Sequence, residues 1–77
     1  MSNVANQRAI NETIRYGMYA IFITRRNIRY AVKDCGVTIK TYKEGDGVWE
    51  RVDNLSNFLV WNAEFQGHDD ISSLIEE

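Results

Sequence analysis

The residues that could do chemistry are few. Cys35 is the single cysteine and His68 the single histidine. A nucleophilic thiol needs a base within hydrogen-bond reach, so Cys35 with His68 is the one such pair the chain could assemble. A lone cysteine in a turn or at a strand edge is the commoner, inert case. His68, Asp69 and Asp70 form a run of potential ligands, but a structural zinc site draws on three or four well-spaced Cys, His or carboxylate groups. The run reads as a solvated loop that caps the segment after it. Gly45-Asp46-Gly47 lacks the helix and lysine that follow a phosphate-binding loop, so it reads as a turn. Glu44 and Asp46 would share that hairpin tip in water. No catalytic residue, metal or cofactor is expected, and the chain is read as a non-enzyme.

Basic and aromatic residues offer binding chemistry instead. "TRRNIRY" at 24–30 places three arginines in seven positions of a chain with net charge −2. The charge is sorted along the chain: all nine Lys and Arg lie at or before Arg51, and six acids follow with no base. This pattern is first that of an acidic C-terminal helix resting beside a basic sheet, and second that of a basic binding face with an acidic tail.

Seventy-seven residues make one domain, 1–77, with 68–77 a short acidic tail. So small a chain has a thin stability margin. One thiol fits a reducing, cytoplasmic setting. The longest apolar run, "MYAIFI" at 18–23, is far below the ~20 residues that span a bilayer, so no membrane contact is expected.

The positioning elements follow from periodicity. Residues 4–17 predict a helix with Val4, Ile10, Ile14 and Met18 on one stripe, Ser2 or Asn3 as cap and Gly17 as stop. Four β-branched and aromatic segments follow at 19–24, 28–33, 37–43 and 48–52, separated by "RRN", "DCG" and "EGDG". Residues 54–66 predict a second helix with Leu55, Phe58, Leu59 and Phe65 on its stripe, Asp53 as cap and Gly67 as stop. "DDISSLIEE" predicts a short tail helix with Ile71, Leu74 and Ile75 on one side.

The result is an α+β fold: a four-stranded antiparallel meander flanked by an N-terminal and a C-terminal helix, α-β-β-β-β-α, with the tail helix after it. The alternative is a winged helix–turn–helix, in which 25–35 is helical, with Thr24 as cap and Gly36 just past its end. Its weakness is "YAIFIT", strand-like where a helix is needed. The expected core groups Ile21, Ile23, Val32, Ile39, Leu55, Phe58 and Leu59.

Alternation sorts the strands into two faces. Tyr19, Ile21, Ile23, Ile28, Tyr30, Val32, Val37, Ile39, Val48 and Val52 would meet the helices. The open face would carry Phe22, Arg29, Lys33, Lys40, Tyr42, Trp49 and Arg51, the candidate binding residues. Tyr, Trp and Arg suit a protein interface. The same mix suits single-stranded nucleic acid, with bases on the rings and phosphates on the cations. It also suits an outer face whose basic stems simply cover the rings.

Net −2 opposes attraction to a polyanion, which favours protein docking. The expected function is therefore that of a small binding protein acting through protein–protein contacts as a regulator or inhibitor, of the kind phages and mobile elements carry. A homodimer with Trp49 or Trp61 near the contact is expected too. A nucleic-acid-binding accessory protein is the alternative.

Overall fold

A computed structural model describes residues 3–76. The chain runs α1 (Asn3–Asn11), α2 (Thr13–Tyr16), β1 (Tyr19–Thr24), β2 (Arg29–Asp34), β3 (Ile39–Gly45), β4 (Val48–Val52), α3 (Ser56–Asn62), β5 (Ala63–Asp69), a 3₁₀ turn (Ser72–Leu74) and β6 (Ile75–Glu76). The six strands form one mixed sheet in the order β5-β1-β2-β3-β4-β6. β1 to β4 are an antiparallel meander, β5 joins β1 antiparallel, and β6 joins β4 parallel. The fold is α+β, and the meander is widened by one strand at each edge. Residues 29–34 are strand, which removes the winged helix–turn–helix arrangement.

Turn chemistry fixes the hairpins. Between β1 and β2, Asn27 N–H donates to Thr24 O at 2.9 Å and Thr24 N–H to Ile28 O at 3.0 Å. This three-residue loop needs its last residue left-handed, and Asn27 takes φ 63° there. Asparagine tolerates that region better than most side chains do. Between β3 and β4, Asp46 (φ 54°) and Gly47 (φ 79°) make the two-residue turn that Asp-Gly signals.

Helices α1 and α3 cover one face of the sheet. Ala9 and Ile10 from α1, with Leu59 and Val60 from α3, pack on Ala20, Phe22, Tyr30, Val32 and Ala63. The buried stripe of the first helical segment is Asn6, Ala9, Ile10 and Thr13, spaced as helix neighbours. It is not the predicted apolar stripe, because Val4 and Ile14 are 65% and 60% exposed. Two polar residues can be buried because both are satisfied. Thr13 Oγ1 donates to Ile10 O at 2.6 Å and accepts from Asp34 N–H at 2.8 Å. Gly17 closes α2 in the left-handed conformation (φ 68°), as predicted, while Ser2 lies outside the described residues.

The second face is covered by the chain itself. From β5 at one edge, residues 70–74 cross to β6 at the other, and Ile71 is buried among Tyr19, Ile21, Ala31, Tyr42 and Trp49. Five strand spacings would separate these edges in a flat sheet, about 24 Å at ~4.8 Å each. The segment from Asp69 to Ile75 spans at most roughly 20 Å when fully extended, and part of it is wound into a 3₁₀ turn. The sheet therefore curls around this segment, which acts as a strap across the concave face.

Five expectations change. The predicted helix 54–66 stops at Asn62, and Ala63–Asp69 is a strand. Asp53 does not cap it: the N-cap is Leu55, with no side-chain capping bond, and Asn54 Oδ1 accepts from Ser56 N–H at 2.9 Å. Gly67 does not stop a helix; it sits in β5 at φ 119°, beside a register shift against β1. The tail is the strap and not a helix, so Ile71 is buried while Leu74 is exposed. The predicted core also divides: Val32 and Leu59 lie under the helices, Ile21 lies under the strap, and Phe58 is 48% exposed.

Candidate docking surface

Six of the seven predicted binding residues share the strap face, as cross-strand register shows: Arg29 stands beside Ile23, Lys33 beside Lys40, and Tyr42 beside Arg51. Phe22 does not join them. It is fully buried on the helix face, paired with Tyr30 and Phe65. The parity of β1 is inverted relative to the prediction, because "YAIFIT" is apolar on both faces and fills a central strand.

The strap face is not an open platform. Tyr42 and Trp49 are each only 1% exposed. The cations lie over the rings: Arg29 Cζ is 5.5 Å from the Trp49 centroid, Lys33 Nζ 5.4 Å from Tyr19, and Arg51 Cζ 5.8 Å from Tyr42. Arg29 also pairs with Glu44 at 3.1 Å. Long basic stems thus seal the rim of a second small core.

The Asp70 carboxylate organises the turn at the start of the strap. Ser72 Oγ and Ser72 N–H both donate to Asp70 Oδ1, at 2.7 and 3.1 Å. These bonds, the hydroxyl's first, hold the Asp70 carboxyl below the usual carboxylate range.

Cys35 and His68 are not brought together as a catalytic pair. Cys35 is exposed in the β2–β3 turn, and His68 sits on β5 with β1 between them. The His68 Nε2 atom lies 2.8 Å from Ala9 O, and its ring meets Tyr16 and Phe65 edgewise at 5.0 Å. The histidine ties β5 to the end of α1. Among the described residues no group of three or more His, Cys, Asp or Glu could hold a metal ion. None of the described helices is long and apolar enough to cross a membrane.

The accessible aromatic surface lies on the other side of the molecule, on α3. Phe58, Leu59, Val60 and Trp61 are four consecutive apolar residues. A helix turns about 100° per residue, so four in a row cannot all face one core. Leu59 and Val60 take the inside, and Trp61 is left 64% exposed. Phe58 and Trp61, three apart, stand on the same outer wall.

Trp61 divides two grooves. The first runs between α3 and the β1–β2 turn, with Arg25 and Arg26 on one wall, Phe58 and Trp61 on the other, and Ile28 and Tyr30 beneath. The second runs between α3 and α1 and includes Val4, Gln7 and Arg8. Neither groove is lined by an acid. Among the described residues, Arg8, Arg25 and Arg26 make no ion pair within the chain. Three cations and two exposed rings thus concentrate on one surface of an acidic protein. The "FLVW" run was the signal for this site, which sequence reasoning touched only by placing Trp61 near a dimer contact. The chain matches no known protein family, curated protein or solved structure.

Proposed function

We propose that this protein is a small, non-enzymatic binding protein that docks onto another protein through the surface centred on Trp61, and so regulates or inhibits that partner. Trp61 carries the reading: a large aromatic, 64% exposed, standing between two acid-free grooves with arginines at their margins. Tryptophan and arginine are the side chains most enriched among residues that dominate binding energy. Trp61 buries little of its ring in the fold, so most of its packing energy is available to a partner. The grooves on both sides give that partner's side chains somewhere to pack.

Nucleic acid on the sheet face is the weaker alternative. Its stacking residues, Tyr42 and Trp49, are under the strap, and its cations already lie over rings. A cytoplasmic setting and a homodimer through Trp61 remain compatible with this reading, the dimer being one form of protein docking.

The test is photo-crosslinking. A benzophenone amino acid placed at position 61 in the full chain is activated in lysate with and without nuclease treatment, and the adducts are identified by mass spectrometry. The same group at Val37, which is 98% exposed on the β2–β3 turn at the other end of the meander, is the control. Defined protein adducts from position 61, absent from position 37 and lost with Arg25→Glu/Arg26→Glu, support docking. Identical adducts from both positions, or adducts that vanish with nuclease, refute it.

A further inference from the structure

Resting on that docking reading, we infer that the groove between α3 and the β1–β2 turn takes an acidic, hydrophobic stretch of the partner's chain: carboxylates on Arg25 and Arg26, and an apolar side chain between them and the rings of Phe58 and Trp61.

The walls are of two kinds, and they face each other. One is the hairpin corner, whose conformation is fixed by the Thr24–Asn27 and Thr24–Ile28 hydrogen bonds. It presents Arg25 and Arg26 as consecutive exposed residues on a rigid turn rather than on a loose loop. Neither has an acid to neutralise it among the described residues, so their charge is free to meet a ligand. The other wall is α3, with Phe58 and Trp61 one turn apart. Beneath lie Tyr30, buried in the helix-face core, and Ile28, packed against that core.

Such a groove selects an occupant that is anionic and apolar at once. A purely acidic chain would leave the rings and Ile28 in contact with water. A purely apolar one would bury guanidinium groups without partners, which is strongly unfavourable. The space, about 510 Å³, lies within the ~300–1,000 Å³ of sites that hold drug-sized ligands, so it accepts a short stretch of chain and not one side chain alone. Arginine adds geometry, because its planar fork takes a carboxylate through two parallel hydrogen bonds. The chain as a whole is net −2, so attraction of an acidic ligand depends on these local cations and not on the total charge.

The two tryptophans give the test a clean optical signal. Trp49 is buried and Trp61 is exposed, so acrylamide quenches the emission of Trp61 selectively. The full chain is titrated with a capped peptide in which Asp or Glu alternates with Leu or Phe. Controls are the same peptide with Asn and Gln at the acidic positions, and a single-stranded oligothymidylate.

The acidic peptide is expected to protect Trp61 at least twofold from quenching. It should bind at least tenfold more tightly than the amide control, and weaken as salt rises from 0.05 to about 0.3 M because exposed charges are screened. Arg25→Ala/Arg26→Ala, on an exposed turn, should fold as the native chain does and lose the same tenfold. Equal binding of the acidic and amide peptides, or full binding by the double alanine variant, overturns the inference. So does oligothymidylate binding more tightly than the peptide. Should no peptide bind while position 61 still crosslinks to a protein, the occupant proposed here is wrong and docking stands. If both fail, both readings fall.

Discussion

The side-chain amide of Asn6 donates to the Ala63 carbonyl at 2.9 Å, and its second hydrogen goes to the Val60 carbonyl at 3.0 Å. One residue of α1 therefore clamps the junction where α3 becomes β5 without a linker. Val60 lies in the last turn of α3, where carbonyls have no partner within the helix. Asn6 supplies it, at 3% exposure. Trp61 lies between the two clamped carbonyls, so the orientation of the docking surface depends on this bond pair.

Asn6→Ala removes both bonds and strands two carbonyls in a dry layer. Each lost bond is worth about 1 kcal/mol and each unsatisfied group about 1–3 kcal/mol, so a loss of roughly 2–4 kcal/mol is expected, a large part of a small domain's stability. Asn6→Asp should be worse, because it sets a carboxylate against two carbonyl oxygens. Urea unfolding followed by circular dichroism checks both. A loss under about 0.5 kcal/mol for the alanine variant would mean that the clamp is not energetically used.

Thr41 gives the opposite sign. Its Oγ1 is buried with no hydrogen-bond partner among the described residues, at the register position between Val32 and Val52. An unsatisfied buried hydroxyl is a standing penalty, and valine has nearly the same shape without it. Thr41→Val should stabilise the fold by about 1 kcal/mol, raising Tm by roughly 4–8 °C for a domain of this size. A lower Tm would show that the hydroxyl does have a partner in solution.

Asn6, with Thr13, also shows where sequence reasoning fails. Strands β1 and β4 were legible to the residue, because β-branched and aromatic runs were bounded by strong turn signals. The faces of β2, β3 and β4 were legible because apolar and basic residues alternate along them. β1 was not, since both its faces are buried and parity leaves no trace in the residue types. The stripe of the first helical segment, α1 with α2, was not legible because Asn6 and Thr13 are buried by satisfaction and not by hydropathy, which no apolar period records. β5 was hidden by the apolar run of α3 just before it, although "AEFQ" alternates over 63–66 as a strand should. The strap was unreadable because it depends on sheet curl, a global property. Trp49 and Tyr42 were accordingly placed in the open.

The strap should control the environment of Trp49. Ile71 is 2% exposed in the cluster that contains Trp49, and Ile71→Ala should cost about 2–5 kcal/mol with a red shift in emission as water reaches the ring. Asp70 makes the first turn of the strap sensitive to pH. Its carboxyl is held below the ordinary range in the fold by the Ser72 hydroxyl and then by the Ser72 amide. A depressed folded value means that the contribution is fully present above the unfolded aspartate value of about 3.9 and is lost as pH falls through the folded one. Exchange protection of the residue 71–76 amides should therefore fall in the native chain as pH drops below about 4, whereas Asp70→Asn/Ser72→Ala, already less protected at neutral pH, should show no such fall. Emission unchanged in Ile71→Ala would remove the strap from the second core.

Leu59, Phe58 and Trp61 separate folding from binding on a single helix. Leu59 is fully buried against the sheet, and Leu59→Ala should cost about 2–5 kcal/mol of stability. Phe58 and Trp61 are 48% and 64% exposed, so their packing energy is mostly not realised in the free protein. Trp61→Ala should change stability by no more than about 0.5 kcal/mol, as surface substitutions do. At a protein interface the same truncation should cost about 2 kcal/mol or more, roughly thirtyfold in affinity. Phe58→Ala should fall between the two in stability, since half of its ring is covered. Thermal unfolding and crosslinking yield, measured on the same three variants, decide the matter. The docking surface requires Trp61→Ala to fold normally and lose the partner; a variant that melts early would make Trp61 part of the fold, and one that keeps its partner would leave the exposed ring without a purpose.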